Sequence, residues 1–177
     1  MSRCSQVCAR AIISMTGLIV SGCGGSSAKT ITATDVTAIP AGDATGTTLS
    51  GTYLLASAAI EDCTCRVGSC AMIHAETGTT LMVVQQDGAL TVTDSNGNVS
   101  TGGVKLDDTF TCGGVETIPS TEGQGEIYAL LDGTFQLSAG QPTAMTFQIS
   151  ETITGTILGV SYDCDFLGSG MARYEGP

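Results

Sequence analysis

The stretch AMTFQISETITGTIL, residues 144–158, alternates over most of its length. Met145, Phe147, Ile149, Ile153 and Ile157 share one parity, and Thr146, Gln148, Ser150 and Thr152 take the other. A period of two sends successive side chains to opposite faces, so the stretch predicts a long, half-buried antiparallel strand, bent at Gly155. Working outward, residues 79–86 and 89–93 read as a hairpin about Asp87-Gly88, a pair that tolerates the positive φ of a tight turn. The same signal at Asp132-Gly133 predicts a hairpin between residues 127–131 and 134–138. Asn96-Gly97 and Asp107-Asp108 mark further turns, residues 49–56 open the domain, and residues 160–166 and 169–174 supply its last two strands. No segment shows sustained helical periodicity.

The expected fold is therefore all-β. Residues 48–177 form a single small antiparallel up-and-down β-barrel of about eight strands, with a β-sandwich as the alternative architecture. Successive hairpins without a long crossover favour the barrel. The chain has 177 residues, which suits one such domain with appendages. Apolar residues make up 42%, too many for a wholly disordered chain. Six Lys and Arg against 17 Asp and Glu give a formal charge of −11, which excludes a nucleic-acid partner because phosphate binding needs a basic stripe. One His leaves little material for acid–base catalysis.

Gly51-Thr52-Tyr53 at the head of the first strand, with Arg173 in the last, resembles the closure of the calycin barrels, the lipocalins and fatty-acid-binding proteins. Those barrels carry Gly-x-Trp early and a basic residue late, packed over the ring where the barrel closes; Tyr stands here for Trp. The resemblance implies a lipocalin-like barrel closed by a Tyr53–Arg173 pair, a cation–π contact. An eight-stranded barrel is either filled by its side chains or holds one small ligand. Tyr53, Leu55, Phe135, Phe147 and Tyr162 are the candidates to line such a cavity for an apolar or amphipathic molecule.

The first residues read as an address. Arg3 and Arg10 precede an apolar run at 11–20, followed by Ser21-Gly22-Cys23, the layout of a secretory signal. Ten apolar residues give only about 15 Å of helix, too short for a bilayer core of about 30 Å. Val20-Ser21-Gly22-Cys23 resembles the lipobox of bacterial lipoproteins. In that family the signal, here residues 1–22, is cut away and the Cys, here Cys23, carries the acyl chains that anchor the protein. Gly24 stands where an Asp would retain such a protein at the inner membrane, so the resemblance implies a cell-envelope lipoprotein of the outer membrane. Residues 23–47, with the lipidated Cys at their head and then rich in Gly, Ser, Thr and Ala, read as a flexible tether spanning about 25–30 Å. Within them, residues 30–36 are the one stretch that could form a strand. The cut chain carries four basic and 17 acidic residues, a charge of −13, which leaves the acyl chains as its only expected contact with the membrane.

Five cysteines remain after the signal and the lipidated one: Cys63, Cys65, Cys70, Cys112 and Cys164. An exported domain meets an oxidising compartment, so these are disulfide candidates, with an odd thiol left over. Cys63 and Cys65 are too close to bridge each other, and at least one of Cys112 and Cys164 is expected to meet the 63–70 cluster. Cys63, Cys65, Cys70 and His74 are also a weak candidate set for a soft metal ion, at a spacing that matches no common zinc module. Asp163 and Asp165 share a strand face that could suit a cation. Asp94-x-Asn96-x-Asn98 opens like a calcium loop but has Val99 at the sixth position and Lys105 at the twelfth. No cofactor is implied. Two functions fit this pattern: a lipid-anchored, non-enzymatic binder of a small apolar ligand, or a structural or protein-interaction lipoprotein with a filled core and no named protein partner.

Overall fold

The alternation at 144–158 is realised in β7 (Gln141–Ile157), whose Met145, Phe147, Ile149 and Ile153 are all buried in the interior. The computed structural model describes residues 28–72, 75, 77–118 and 123–177; the signal, Cys23 and His74 lie outside them. Seven further strands lie among the described residues: β1 (Gly51–Val67), β2 (Thr80–Gln86), β3 (Ala89–Asp94), β4 (Val99–Val104), β5 (Thr109–Thr117), β6 (Gly123–Ser138) and β8 (Val160–Gly176). Each pairs antiparallel with its chain neighbour, and β8 pairs back on β1 to close the ring in up-and-down order.

Two expected boundaries are corrected. Asp132-Gly133 is no turn: β6 runs straight through it, with Gly133 opposite Phe147. A Cβ on Gly133 would lie 2.7 Å from the Phe110 ring, so this glycine clears space for an aromatic inside the barrel. The chain turns instead at Ala139-Gly140, both at positive φ. Likewise residues 160–166 and 169–174 are one strand, β8, continuous through Gly168.

Strand lengths are uneven. β1, β6, β7 and β8 have 16 or 17 residues, whereas β2, β3 and β4 have six or seven. The long strands therefore continue past the short ones as a curved sheet. The main core, around Tyr53, Leu81, Leu90, Phe110, Phe135 and Met145, fills the closed ring. A second cluster of Ile118, Ile127, Ile153, Ile157, Cys164 and Phe166 lies on the inner face of the extension.

The segment expected to be a loose tether is, from residue 28 onward, a strap on the outside of the barrel. Ala28 N donates to Asp62 Oδ2 at 2.7 Å and Ile31 N to Thr152 Oγ1 at 2.7 Å. Residues of the candidate strand at 30–36 form part of a short helix, α1 (Ala33–Thr37), whose Thr32 and Asp35 make a capping box. Ile31 and Val36 are each only 2% exposed. Further on, Ala44 N donates to Val104 O, Gly42 N to Gly88 O, and Leu49 N to the Gln85 side chain. Composition alone misread this segment. Its backbone lies directly against glycines of the wall, residues 40–42 on Gly88 and Gly103 and Val36 on Gly113, where the wall carries no side chain to hold it off.

Candidate functional site

Four of the five cavity candidates belong to one buried cluster inside the ring. Tyr53, Leu55, Phe135 and Phe147 are buried in the main core. The Tyr53 ring lies 5.8 Å from Phe135 and 5.2 Å from Tyr174, and Phe110 lies 4.9 Å from Phe135. These are aromatic contact distances, so the Tyr53, Phe110, Phe135 and Tyr174 rings fill the space between them. Tyr162 is elsewhere, half-buried against the second cluster.

The expected Tyr53–Arg173 closure is corrected. β1 and β8 do close the barrel, but Tyr53 opposes Tyr174, while Arg173 opposes Leu54 and is exposed on the outer face. One residue of register decides this, because neighbours along a strand face opposite sides. Tyr53 is held by its hydroxyl, which donates to Leu49 O at 2.9 Å.

Four of the five cysteines gather at the extended end of β1 and β8. Cys63 is bonded to Cys70 and Cys65 to Cys164, its register partner on β8. Cys112 is a free thiol, buried in the main core, where desolvation foremost pushes it up to about 12. The Cys63, Cys65 and Cys70 sulfurs lie within 4.8 Å of one another, but bonded sulfurs offer a metal no thiolate. Next to them Arg66 answers two acidic residues of β8, Asp163 and Asp165. Its guanidinium donates to Asp163 at 2.5 and 2.8 Å and to Asp165 at 2.6 Å. Asp165 is buried, which raises its carboxyl, and hydrogen bonds from Arg66, Thr152 and Thr30 outweigh that and hold it below the usual value. This pair latches the start of the strap.

Asp94 is likewise engaged. Its Oδ1 accepts from the backbone of Asn96 and Asn98 and its Oδ2 from the Asn98 side chain, so it organises the β3–β4 turn.

The group that structure reveals and sequence reading passed over is Glu151. It stands on β7 opposite Ala129 of β6 and Phe166 of β8, is 2% exposed, and its Oε2 has no hydrogen-bond partner among the described residues. Burial, and then the charge of Glu116 on β5, push this carboxyl up to about 8. Around it lies a cavity of about 30 Å³ lined by Asn98, Ser100, Gly114, Glu116, Ile127 and Glu151, among others. The signal was present: Glu151 shares the parity of Met145, Phe147, Ile149 and Ile153, so the alternation itself carries a carboxylate into the interior. A buried carboxyl with one oxygen left without a partner, beside a second carboxyl, is an arrangement that stability alone does not select.

No known family model matches the chain, and no curated protein sequence matches it.

Proposed function

We propose that the chain is a lipid-anchored bacterial envelope lipoprotein of the non-enzymatic, structural or protein-interaction kind, with a barrel filled by its own side chains. The observation that carries the reading is the burial of Tyr53, Leu55, Phe135 and Phe147 in one core cluster, with the Tyr53 and Phe135 rings in contact where an apolar ligand would have to sit. Two disulfides agree with a domain that matures in an oxidising compartment. The lipobox-like Val20-Ser21-Gly22-Cys23 supports the anchor at Cys23 and an outer-membrane address. Two or more acyl chains hold a protein durably at a bilayer, which a strongly acidic surface could not do by charge.

The test is expression of the full chain in a bacterial host with labelled palmitate, followed by native mass spectrometry of the recovered protein. The expected result is label in the membrane fraction, lost in Cys23→Ser, and a native mass that carries no small molecule beyond the acyl chains. An unlabelled, freely secreted chain overturns the anchor. A stoichiometric apolar passenger released on denaturation overturns the filled-core reading in favour of a ligand carrier.

A further inference from the structure

The hairpin that joins β7 to β8 ends in an apolar turn. Ile157 pairs with Val160, and the two residues between them, Leu158 and Gly159, turn the chain at φ of 50° and 81°. A two-residue turn with both φ positive favours Asn, Asp or Gly, and two other turns of the barrel place Asp87 and Asp108 at positive φ. For a bulky side chain this conformation is an outlier. Leu158 nevertheless holds it, 60% exposed, with Val160 beside it 50% exposed. Neither the turn nor the core calls for a leucine here.

Charge sets this turn apart from the most exposed leucine, Leu106. That residue, in the β4–β5 turn at the opposite end of the barrel, stands among Lys105, Asp107 and Asp108. No residue from Thr152 to Tyr162 is charged. Asp163 comes next, and it is paired with Arg66. Val67, the last residue of β1, is also exposed at this end. A Cβ on the following Gly68 would lie 2.9 Å from the Tyr162 ring, so the end of β1 lies alongside the hairpin.

What covers the turn follows from where the chain reaches the barrel. Ala28 N donates to Asp62, the register partner of Leu167, and Leu167 lies seven residues along β8 from Val160. Seven residues of strand measure about 23 Å, which a barrel tilt of about 35–45° shortens to about 16–19 Å along the axis. The chain from Ala28 back to Cys23 spans at most about 18 Å. An acylated Cys23 therefore reaches the level of Leu158 and Val160.

We propose that the β7–β8 turn is a second membrane contact, with Leu158 and Val160 inserted in the interfacial layer of the bilayer that holds Cys23, and Val67 and Tyr162 at its margin. The inference rests on the lipid-anchored reading above. Charge bounds the depth: Asp163 on β8 lies three residues from Val160, and Glu126 on β6 is level with Thr154, three residues from Ile157. Three residues of strand measure about 10 Å, the depth to which an interfacial apolar face sinks. The matching surface is zwitterionic, because four basic against 17 acidic residues repel an anionic one.

The chain contains no Trp, so a single introduced one reports only its own surroundings. The test places Leu158→Trp and, separately, Leu106→Trp in the full chain, expressed in a bacterial host with labelled palmitate. The chain recovered from the membrane fraction is reconstituted in phosphatidylcholine vesicles with brominated acyl chains. We expect Leu158→Trp to be quenched by the brominated lipid, and shielded from aqueous iodide, about threefold or more relative to Leu106→Trp. Tryptophan itself favours the interface, and the Leu106 position controls for that. If far-ultraviolet circular dichroism shows that Leu158→Trp has not folded, Val160→Trp is held to the same criterion. A palmitate-labelled chain in which the two positions are equally open to iodide, or equally quenched by lipid, overturns this inference and leaves the anchor standing. A chain without label overturns the anchor, and this inference with it.

Discussion

Gly113 of β5 and Val36 of α1 meet so closely that a Cβ on Gly113 would lie 2.6 Å from both the Cα and the carbonyl oxygen of Val36. The wall and the strap are fitted backbone to backbone at this point. Gly113→Ala is therefore expected to lift α1 and cost about 1–3 kcal/mol, the range for overfilling a packed contact. Ile31→Ala, at the strap's other buried anchor, is expected to cost about 2–4 kcal/mol. Urea denaturation measures both, and limited proteolysis should show faster cleavage within residues 28–47. A loose tether would give under about 0.5 kcal/mol for either substitution, and that result would refute the strap.

Glu151 sets a pH dependence. Its carboxyl is raised to about 8 from the ordinary 4.5, so the native state holds a proton that the unfolded chain releases. Its contribution to stability is full below about pH 4.5 and lost as pH rises through 8. Asp163 and Asp165 are shifted the other way, and their contribution is lost only as pH falls through the lower, acid range. The unfolding free energy of Glu151→Gln should gain on wild type by about 2–4 kcal/mol between pH 5 and 8. Parallel stability–pH curves would show that Glu151 is ionised throughout or exposed.

The reading of residues 144–158 illustrates what a sequence discloses. Strict alternation made β7 legible, and its parity placed Met145, Phe147 and Ile149 correctly inside. The Asp87-Gly88 turn was equally plain. Asp132-Gly133 misled because a glycine that admits the Phe110 ring looks, in one dimension, like a glycine that turns a chain. The strap was illegible because its Thr- and Ala-rich stretch is poor in large apolar residues, and what it packs against are glycines far along the chain. Glu151 was readable in principle. A charged residue at an inward parity interrupts an apolar series, and the interruption marks the small cavity beside Glu151.

Cys112 should behave as an inert thiol. It is fully buried, and its pKa of about 12 keeps it protonated at any physiological pH. Alkylation with iodoacetamide, read by peptide mapping, is expected to leave Cys112 unmodified in the native chain and to label it completely after denaturation. Rapid native labelling would place it at the surface.

The two bridges should differ in worth. Cys65–Cys164 spans 99 residues of chain and Cys63–Cys70 only seven. Chain-entropy reasoning assigns them about 4–5 and about 2 kcal/mol respectively, so replacing Cys65 and Cys164 with Ser is the more costly change. Equal losses in thermal melts would mean that the long bridge adds nothing beyond the pairing of β1 with β8, which already runs alongside it.

The latch of the strap also fixes a stand-off. Ala28, held to Asp62 near the disulfide-bearing end of the barrel, comes only five residues after Cys23. Five residues reach at most about 18 Å. With acyl chains on Cys23, the domain would not drift on a leash. It would stand on the bilayer like a short pillar, the Arg66 latch at its foot and the Asp87-Gly88 hairpin, gripped by the far end of the same strap, at its crown. The height at which such a pillar meets a partner is then set by the length of its strands.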